Sequence, residues 1–372
     1  MSAGSPVLHL TGPLLVGDAE AGHSEVRPEA WVVGGRLTYT RPVSPGADMQ
    51  TVPGWVIPGL VDMHCHVSIG PDGPVDLAAA RTYAKAEARA GVLLARDAGS
   101  TLNLESLRDL PDGPRLIRSG RFIARHKRYL PGLAVTIEPH ELPAEVGRQA
   151  ARGDGWVKIV ADWIDRDLGD AATLTPLWEP HQLREALAVA HAAGARVTAH
   201  TFSEEAITPL LDAGIDSIEH GTGMTAEHAA RAAAAGVPVV PTLRQVGNFA
   251  AFAAQAGSKY PVYAATMTRM HARRYTHVRE LFEAGVTLLL GSDGGTSITH
   301  AEPVREALEM AQAIPAADVV AGATWRARRF LGAGVLDEGD PADLLVLDAD
   351  PRLDVSELGR PRAIVRSGMR LA

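Results

Sequence analysis

The sequence predicts an α/β fold, a (β/α)8 TIM barrel with a small β-sandwich domain built from both chain termini. Two patterns lead to this prediction. In the middle of the chain, short apolar runs alternate with Ala-, Leu- and Glu-rich stretches at helical spacing, which is typical of a parallel sheet covered by helices. Near both ends, β-branched runs are separated by Gly, Asp and Pro, which is typical of strands joined by turns.

Eight apolar runs are the predicted barrel strands, and helical stretches follow most of them. The strands are predicted at about residues 56–66, 92–100, 115–122, 156–162, 196–201, 217–221, 238–243 and 286–293. The helices are predicted at residues 77–90, 181–193, 203–213, 225–235, 266–284 and 301–311. Several of these stretches end in glycine, which favours a left-handed helix cap. A doubly wound open sheet is less favoured, because no glycine-rich phosphate loop follows the first strand.

The ends of the chain predict the second domain. Runs at residues 7–16, 31–40, 342–348 and 362–366 resemble one another and are too few for two stable domains. Because domain termini often lie close together, they can form one small unit. The predicted domains are therefore residues 1–57 with 333–372, a β-sandwich, and residues 58–332, the catalytic barrel.

Composition excludes several classes of protein. The 372 residues are 46% hydrophobic and 22% charged, which is ordinary for a globular chain. The net charge of -8 argues against a nucleic-acid or anionic-membrane partner. One cysteine cannot form an internal disulfide, and neither a signal peptide nor a membrane-spanning run is evident. We therefore expect a cytoplasmic protein that acts on a small molecule and binds neither nucleic acid nor membrane.

Residues with metal-binding chemistry recur where the predicted strands end, and in a barrel the active site lies there. They are His64, His66, His200, His220 and Asp293, with Lys158 inside the fourth strand. Alternate residues of a strand face the same way, so His64 and His66 face inward together and Cys65 faces the helices. Any one of them has an ordinary structural explanation, such as a snorkelling lysine or an aspartate helix cap. The joint pattern predicts a site.

The same segments resemble a known family. PGLVDMHCH, WVKIV, VTAHT, IDSIEHG and LLLGSDGG occur in an order and spacing similar to the metal-dependent amidohydrolase superfamily. The resemblance covers nearly the whole chain. It is strongest to the imidazolonepropionase-like and Xaa-Pro or Xaa-Arg dipeptidase-like branch, which includes ochratoxin-hydrolysing enzymes. The closing stretch GVLDEGDPADLLVLDADP also resembles the return of that family into its β-sandwich.

The resemblance implies a binuclear centre of two divalent ions, with Zn²⁺ expected from the imidazole-rich ligands. His64, His66 and Asp293 would bind the more buried ion, and His200 and His220 the more exposed one. Lys158 would bridge them as an N-carboxylated lysine. Physical chemistry agrees, because burial and nearby cations lower a lysine pKa and leave a neutral amine that can add carbon dioxide.

This site implies a hydrolase that cleaves an amide or peptide C–N bond of a dipeptide, an N-acyl amino acid or a related small amide. A hydroxide between the ions would attack, and Asp293 would transfer its proton to the leaving nitrogen. A lactam, a lactone or another ester remains an alternative substrate. A mononuclear zinc deaminase is a second alternative, although Glu204 comes one residue later than its usual proton-transferring glutamate. A metal-free scaffold is a third.

Residues that contact substrate are harder to predict. The loop after the third strand contains Arg125, His126, Arg128 and Tyr129, which could bind a carboxylate or an oxyanion, or could form a solvated basic loop. Residues 244–263 are predicted to be an aromatic lid or a packing surface between subunits. We expect a homo-oligomer of unspecified size.

Overall fold

A computed structural model describes residues 7–17, 24–43, 49–295 and 297–372. Parts of the predicted N-terminal domain segment, at residues 1–6, 18–23 and 44–48, lie outside the described residues. The described N-terminal strands are β1 (Leu8–Gly17), β2 (Ser24–Val33), β3 (Arg36–Thr38), β4 (Gln50–Pro53) and β5 (Trp55–Pro58).

The central region alternates strands and helices, as predicted. Its strands are β6 (Leu60–Cys65), β7 (Ile69–Gly70), β8 (Gly73–Pro74), β9 (Val92–Asp97), β10 (Arg115–Arg118), β11 (Ile123–Arg125), β12 (Val135–Ile137), β13 (Trp156–Val160), β14 (Asp162–Ile164), β15 (Leu174–Pro176), β16 (Arg196–Thr201), β17 (Ser217–His220) and β18 (Val239–Val240). Its helices are α1 (Leu77–Arg89), α2 (Leu142–Ala150), α3 (Pro180–Ala192), α4 (Ile207–Asp212), α5 (Ala226–Ala235), α6 (Leu243–Gly247), α7 (Phe249–Ala256), α8 (Pro261–Glu283), α9 (Pro303–Met310), α10 (Ala316–Ala323) and α11 (Trp325–Phe330). Short 3-10 helices occupy Glu105–Leu107, Pro139–Glu141, Arg166–Ala171 and Val355–Gly359.

The central strands form two parallel sheets, in the orders β10-β9-β6 and β12-β11-β13-β16-β17-β18. Residues 115–125 join them on one side, since β10 pairs with β9 and β11 pairs with β13. Residues 286–294 lie between β18 and β6 on the other side, through the bridges Val239–Leu288 and Cys65–Gly294. The predicted strand at 286–293 is thus present as isolated bridges. The α/β class is confirmed.

The chain ends meet in one sheet. Strands β19 (Leu344–Leu347), β20 (Ala363–Arg366) and β21 (Met369–Arg370) join the N-terminal strands in the order β21-β20-β19-β5-β1-β2-β3, with β4 also beside β1. Leu14, Val56 and Val346 from both ends are fully buried in a shared apolar cluster. Strand β5 continues through Gly59 into β6, so this sheet is joined directly to the strand that carries His64 and His66.

One helical prediction needs correction. The stretch predicted as a helix from residue 203 becomes helical only at Ile207, and the Asp162 carboxylate accepts the hydrogen bonds of the Phe202 and Ser203 amides before it (2.7 and 3.0 Å). The segment 244–263 contains α7, whose Phe249 is fully buried against Phe202.

Within the part of the chain that the structure describes, none of the helices combines the length and apolar character that a bilayer crossing requires.

Candidate active site

A cavity of about 510 Å³ opens where the parallel strands end. All six predicted metal-ligating residues line it: His64, His66, Lys158, His200, His220 and Asp293. They come from β6, β13, β16, β17 and the segment after residue 286, so elements far apart in sequence supply them. The structure therefore brings together the whole predicted set.

Three predicted ligands of one ion converge on one point. The Nε2 atoms of His64 and His66 are 3.3 Å apart, and the Asp293 Oδ1 atom lies 3.2 and 3.4 Å from them. The Nζ atom of Lys158 lies 3.2 Å from His64 Nε2. Lys158, on β13, is thus within contact distance of His64, on β6.

The two remaining histidines face each other beside this group. His200 Nδ1 lies 2.9 Å from His220 Nε2, and the other ring nitrogen of His220, Nδ1, lies 2.6 Å from the Thr242 hydroxyl oxygen. His200 Nε2 is buried and has no hydrogen-bond partner among the described residues.

Burial controls the charge of the cluster. It lowers the pKa values of His64, His200 and His220 well below that of an ordinary histidine, and nearby Lys158 lowers them further, so these rings are neutral near pH 7. Burial also lowers the pKa of Lys158 to about 8. For Asp293, burial opposes ionisation, but His64, His66 and Lys158 together hold its pKa below the usual value.

This donor set fits divalent metal ions. Neutral imidazoles offer ring lone pairs, Asp293 offers a carboxylate, and His64, His220 and Asp293 bring ligand atoms within 4.8 Å of one another. The buried His200 Nε2 has no hydrogen-bond partner among the described residues, so this ring nitrogen is available to a metal ion. Imidazole nitrogen with carboxylate oxygen is a ligand combination that zinc accepts.

Backbone strain is concentrated at this site. His220, Thr242 and Asp293 have φ values of 66°, 44° and 55°, in the left-handed region that side-chain-bearing residues avoid. Such conformations cost on the order of 1–3 kcal/mol each and cluster at functional positions. At His220 the turn has a visible effect, because adjacent residues of a regular strand face opposite sides, yet both Glu219 and His220 lie beside His64.

Glycine in the LLLGSDGG segment permits the close approach of Asp293. A Cβ atom on Gly291 would lie 2.8 Å from the Cβ and 2.9 Å from the backbone nitrogen of His64. The Asp293 amide donates to the His64 carbonyl at 2.7 Å. Only a residue without a side chain lets this segment pack against β6 at that distance.

Sequence reasoning missed the residues that support the ligands. The Glu219 carboxylate lies 2.8 Å from His64 Nδ1 and forms an ion pair with Arg96, and both residues are fully buried. The Arg96 guanidinium stacks over the Trp156 ring at 4.4 Å. The available signal was a glutamate directly before His220 and an arginine inside a predicted buried strand, both unusual where burial of charge is costly.

Of the residues predicted to contact substrate, some line the cavity and others do not. Tyr129 lines the cavity, and its ring centroid lies 6.1 Å from that of His200. Arg125 and His126 do not line it; the His126 amide is held by the Ile137 carbonyl, and its side chain is exposed. Arg128 is held by Asp165 and by the Trp163 carbonyl. The aromatic wall comes partly from the segment 244–263, through Phe252, Tyr260 and Tyr263, and partly from Phe122, Trp163 and Phe202, which the sequence did not single out.

A second cavity of about 910 Å³ lies beside the first and reaches only His220 of the six predicted ligands. Glu204 and Glu205 line this larger cavity and are not among the residues that line the smaller one. The two glutamates nearest the deaminase position therefore line a cavity that shares only His220 with the predicted ligands.

Comparison with known proteins identifies the family. Residues 55–368 match the model of the amidohydrolase family, and the chain belongs to that family. It is thus a hydrolase that acts on C–N bonds. The chain is 46% identical over 346 residues to uncharacterized proteins of Mycobacterium tuberculosis (strain H37Rv) and Mycobacterium bovis, with 92% of each chain covered.

Solved structures share the fold. A Xaa-Pro dipeptidase with bound methionine superposes with a TM-score of 0.81 at 21% identity, covering 98% of this chain and 99% of that chain. A prolidase complexed with N-methylphosphonate-L-proline superposes with a TM-score of 0.80 at 24% identity, covering 98% of this chain and 99% of that chain. The ochratoxinase of A. niger superposes with a TM-score of 0.78 at 20% identity, covering 99% of this chain and 96% of that chain. The suspected family is confirmed.

Proposed function

We propose that this protein is a binuclear metal-dependent hydrolase that cleaves the amide or peptide C–N bond of a dipeptide, an N-acyl amino acid or a related small amide. One observation carries the proposal: six donor side chains from five separate segments meet in one cavity, with neighbouring donor atoms 2.9–3.4 Å apart. A cluster that existed only for stability would satisfy its buried polar atoms, yet the buried His200 Nε2 has no partner among the described residues.

We further propose that the parallel strands form an eight-stranded barrel over residues 58–332. The bridges at residues 286–294 and the double pairing of residues 115–125 support it. Residues 1–57 with 333–372 would form the β-sandwich domain, supported by the sheet shared between the chain ends. Such a barrel would place every proposed ligand at its carboxyl-terminal rim.

In this proposal His64, His66 and Asp293 hold one ion and His200 and His220 the other, with Zn²⁺ the expected metal. The Lys158 amine, once neutral, would add carbon dioxide and release a proton to become the bridging carbamate; its lowered pKa supports this. When bound, the ions supply Lewis acidity toward the carbonyl and lower the pKa of a water toward neutrality.

The chain's own groups would then move the protons. Asp293 is held ionised by its neighbours, so its carboxylate can accept the proton of the attacking water and deliver it to the leaving nitrogen, which cannot depart as an amide anion. Tyr129 lines the same cavity, and burial and the Asp293 charge raise its phenol pKa, so it remains a neutral donor for the developing oxyanion.

Metal content and turnover test the proposal together. Protein loaded in zinc and bicarbonate is expected to contain about two ions per chain and to hydrolyse members of a dipeptide and N-acyl amino acid panel. One ion per chain with release of ammonia from an aminated ring would favour the deaminase instead. No ion and no turnover would favour a scaffold.

The variant Lys158→Ala tests the bridging ligand. It is expected to lose one or both ions and at least about 1000-fold in kcat, because both the charge balance and the second ligand set depend on the carbamate. Lys259→Ala, at an exposed lysine on the loop before α8, is the control and should retain its metal content and its kcat. Full metal content and turnover in Lys158→Ala would contradict the bridging role.

A further inference from the structure

Outside the ligand cluster, one of the described residues that line the cavity is charged. Most of the remaining wall is aromatic or aliphatic, including Phe122, Trp163 and Phe252. The cationic side chain among these residues is Arg166, and the described lining includes no aspartate or glutamate besides Asp293. An apolar chamber with one positive group at its wall is suited to an apolar ligand with one negative group.

The position of Arg166 follows from the hairpin β14–β15. Arg166 begins the 3-10 helix Arg166–Ala171 that joins the two strands, and its side chain is exposed at the cavity. Its charge acts on the Tyr263 phenol, another wall group: burial raises that pKa to about 12 while Arg166 opposes the rise. The guanidinium therefore lies beside the aromatic wall.

The neighbouring carboxylate is already used. Asp165 accepts a hydrogen bond from Arg128 Nη1 at 2.9 Å, and the other Arg128 nitrogen, Nη2, donates to the Trp163 carbonyl and the Thr175 hydroxyl (2.9 and 2.6 Å). Arg128 thereby fixes the hairpin. No hydrogen bond or ion pair within the described chain holds the Arg166 guanidinium, so its donors are directed by ligand or solvent alone.

We propose that Arg166 binds the free carboxylate of the substrate and that the site selects carboxylate-bearing substrates with a bulky apolar group. This inference rests on the proposed function and deepens it. A guanidinium offers two parallel donors to a carboxylate, which makes the charged contact geometrically specific. A substrate with a lysine or arginine side chain would place a further cation against a wall whose described lining offers no carboxylate besides Asp293, and it is selected against.

A matched pair of substrates isolates the contact. N-acetyl-phenylalanine and its carboxamide differ only in the charged group, and acetate release measures cleavage of the same acyl bond in both. The metal-loaded enzyme is expected to favour the acid by about 10- to 100-fold in kcat/KM, the range of one charged hydrogen-bonded pair. N-acetyl-arginine should be at least about tenfold poorer than N-acetyl-phenylalanine.

Arg166→Met should remove the preference for the acid, because kcat/KM falls for N-acetyl-phenylalanine far more than for its carboxamide. Arg166→Lys should restore part of it, because an ammonium keeps the charge but not the paired donors. Arg184→Met, at an exposed arginine of α3 that does not line the cavity, should behave as the original protein. Equal loss for both substrates in Arg166→Met, or no preference in the original enzyme, would overturn the assignment.

Binding separates failure of this inference from failure of the proposed function. The affinities of the acid and the carboxamide for metal-loaded protein are measured by calorimetry, which requires no turnover. A preference for the acid that Arg166→Met abolishes supports Arg166 even where neither compound is cleaved. Cleavage of both compounds with equal affinity for both would retain the hydrolase and reject the role of Arg166.

Discussion

The Nδ1 atom of His220 lies 2.6 Å from the Oγ1 atom of Thr242, and both residues have positive φ. The hydroxyl holds the orientation of the His220 ring, and in the tautomer that donates its Nδ1 proton to Thr242, Nε2 keeps its lone pair toward His200. Thr242 in turn precedes α6, whose first amides donate to the buried Glu306 carboxylate. A histidine proposed as a metal ligand is thus oriented by the residue that precedes α6.

Thr242→Val should lower the affinity for the ion proposed at His200 and His220 by about 10- to 100-fold. A loss of this size is typical when a group that orients a metal-ligating histidine is removed. Valine has the same shape and branching as threonine, so the backbone is unchanged. Chelator competition measures the affinity. Thr242→Ser keeps the hydroxyl and should bind as the original protein does; equal weakening in both variants would point to packing instead.

Glu219→Gln should lower the free energy of unfolding by about 3 kcal/mol, because the buried Arg96 charge loses its counter-charge. Urea unfolding measures it. The double variant Arg96→Met with Glu219→Gln should be less destabilised than the sum of the single changes by about 1–3 kcal/mol. Strict additivity would show that the two charges do not act as a pair.

Metal uptake should depend on pH through Lys158. Its pKa of about 8 means that the neutral amine is scarce at pH 6 and predominates above pH 8. The pKa values of His64, His200 and His220 are lowered, so these rings stay neutral over this range and do not change the pH dependence of metal uptake. At a fixed concentration of dissolved carbon dioxide, the rate at which metal-free protein regains activity with zinc should rise by up to about tenfold per pH unit and level off above about pH 8. A flat profile would argue against carboxylation.

A second pH dependence comes from His300. Its Nε2 faces the Ile69 carbonyl at 2.8 Å and its Nδ1 faces the Glu87 carboxylate at 3.3 Å. Burial opposes the charge of His300, but Glu87, Ile69 and Asp62 outweigh it and raise the pKa. The charged form therefore adds stability that is complete below the unfolded pKa of about 6.5 and is lost as pH rises through the higher folded pKa.

The variant His300→Gln should accordingly lose more stability at pH 6 than at higher pH, when urea unfolding is compared at several pH values. His181→Gln, at an exposed histidine of α3, should track the original protein throughout. A difference between His300→Gln and the original protein that does not vary with pH would mean that His300 is neutral.

The sequence predicted which six side chains converge in one cavity, because strand periodicity fixes the direction of a strand-end side chain and parallel strands end at the same edge. His64 and Lys158 needed no knowledge of loops. Trp163 and Arg166 could not be found in this way, since they lie on a hairpin whose orientation Arg128 sets through contacts across it. Glu219 was assigned no role because strand alternation allows only one of two adjacent residues to face the cluster, and the left-handed turn at His220 places both beside His64.

The strand β5 pairs with β19 on one side and β1 on the other, and it continues through Gly59 into β6. During synthesis, this strand leaves the ribosome about 285 residues before its partner β19 does. The sheet that supports the first two histidines is therefore completed only after almost all of the chain has been made, and such long-range pairing is slow to form. Assembly of the ligand cluster should wait for the last stage of translation.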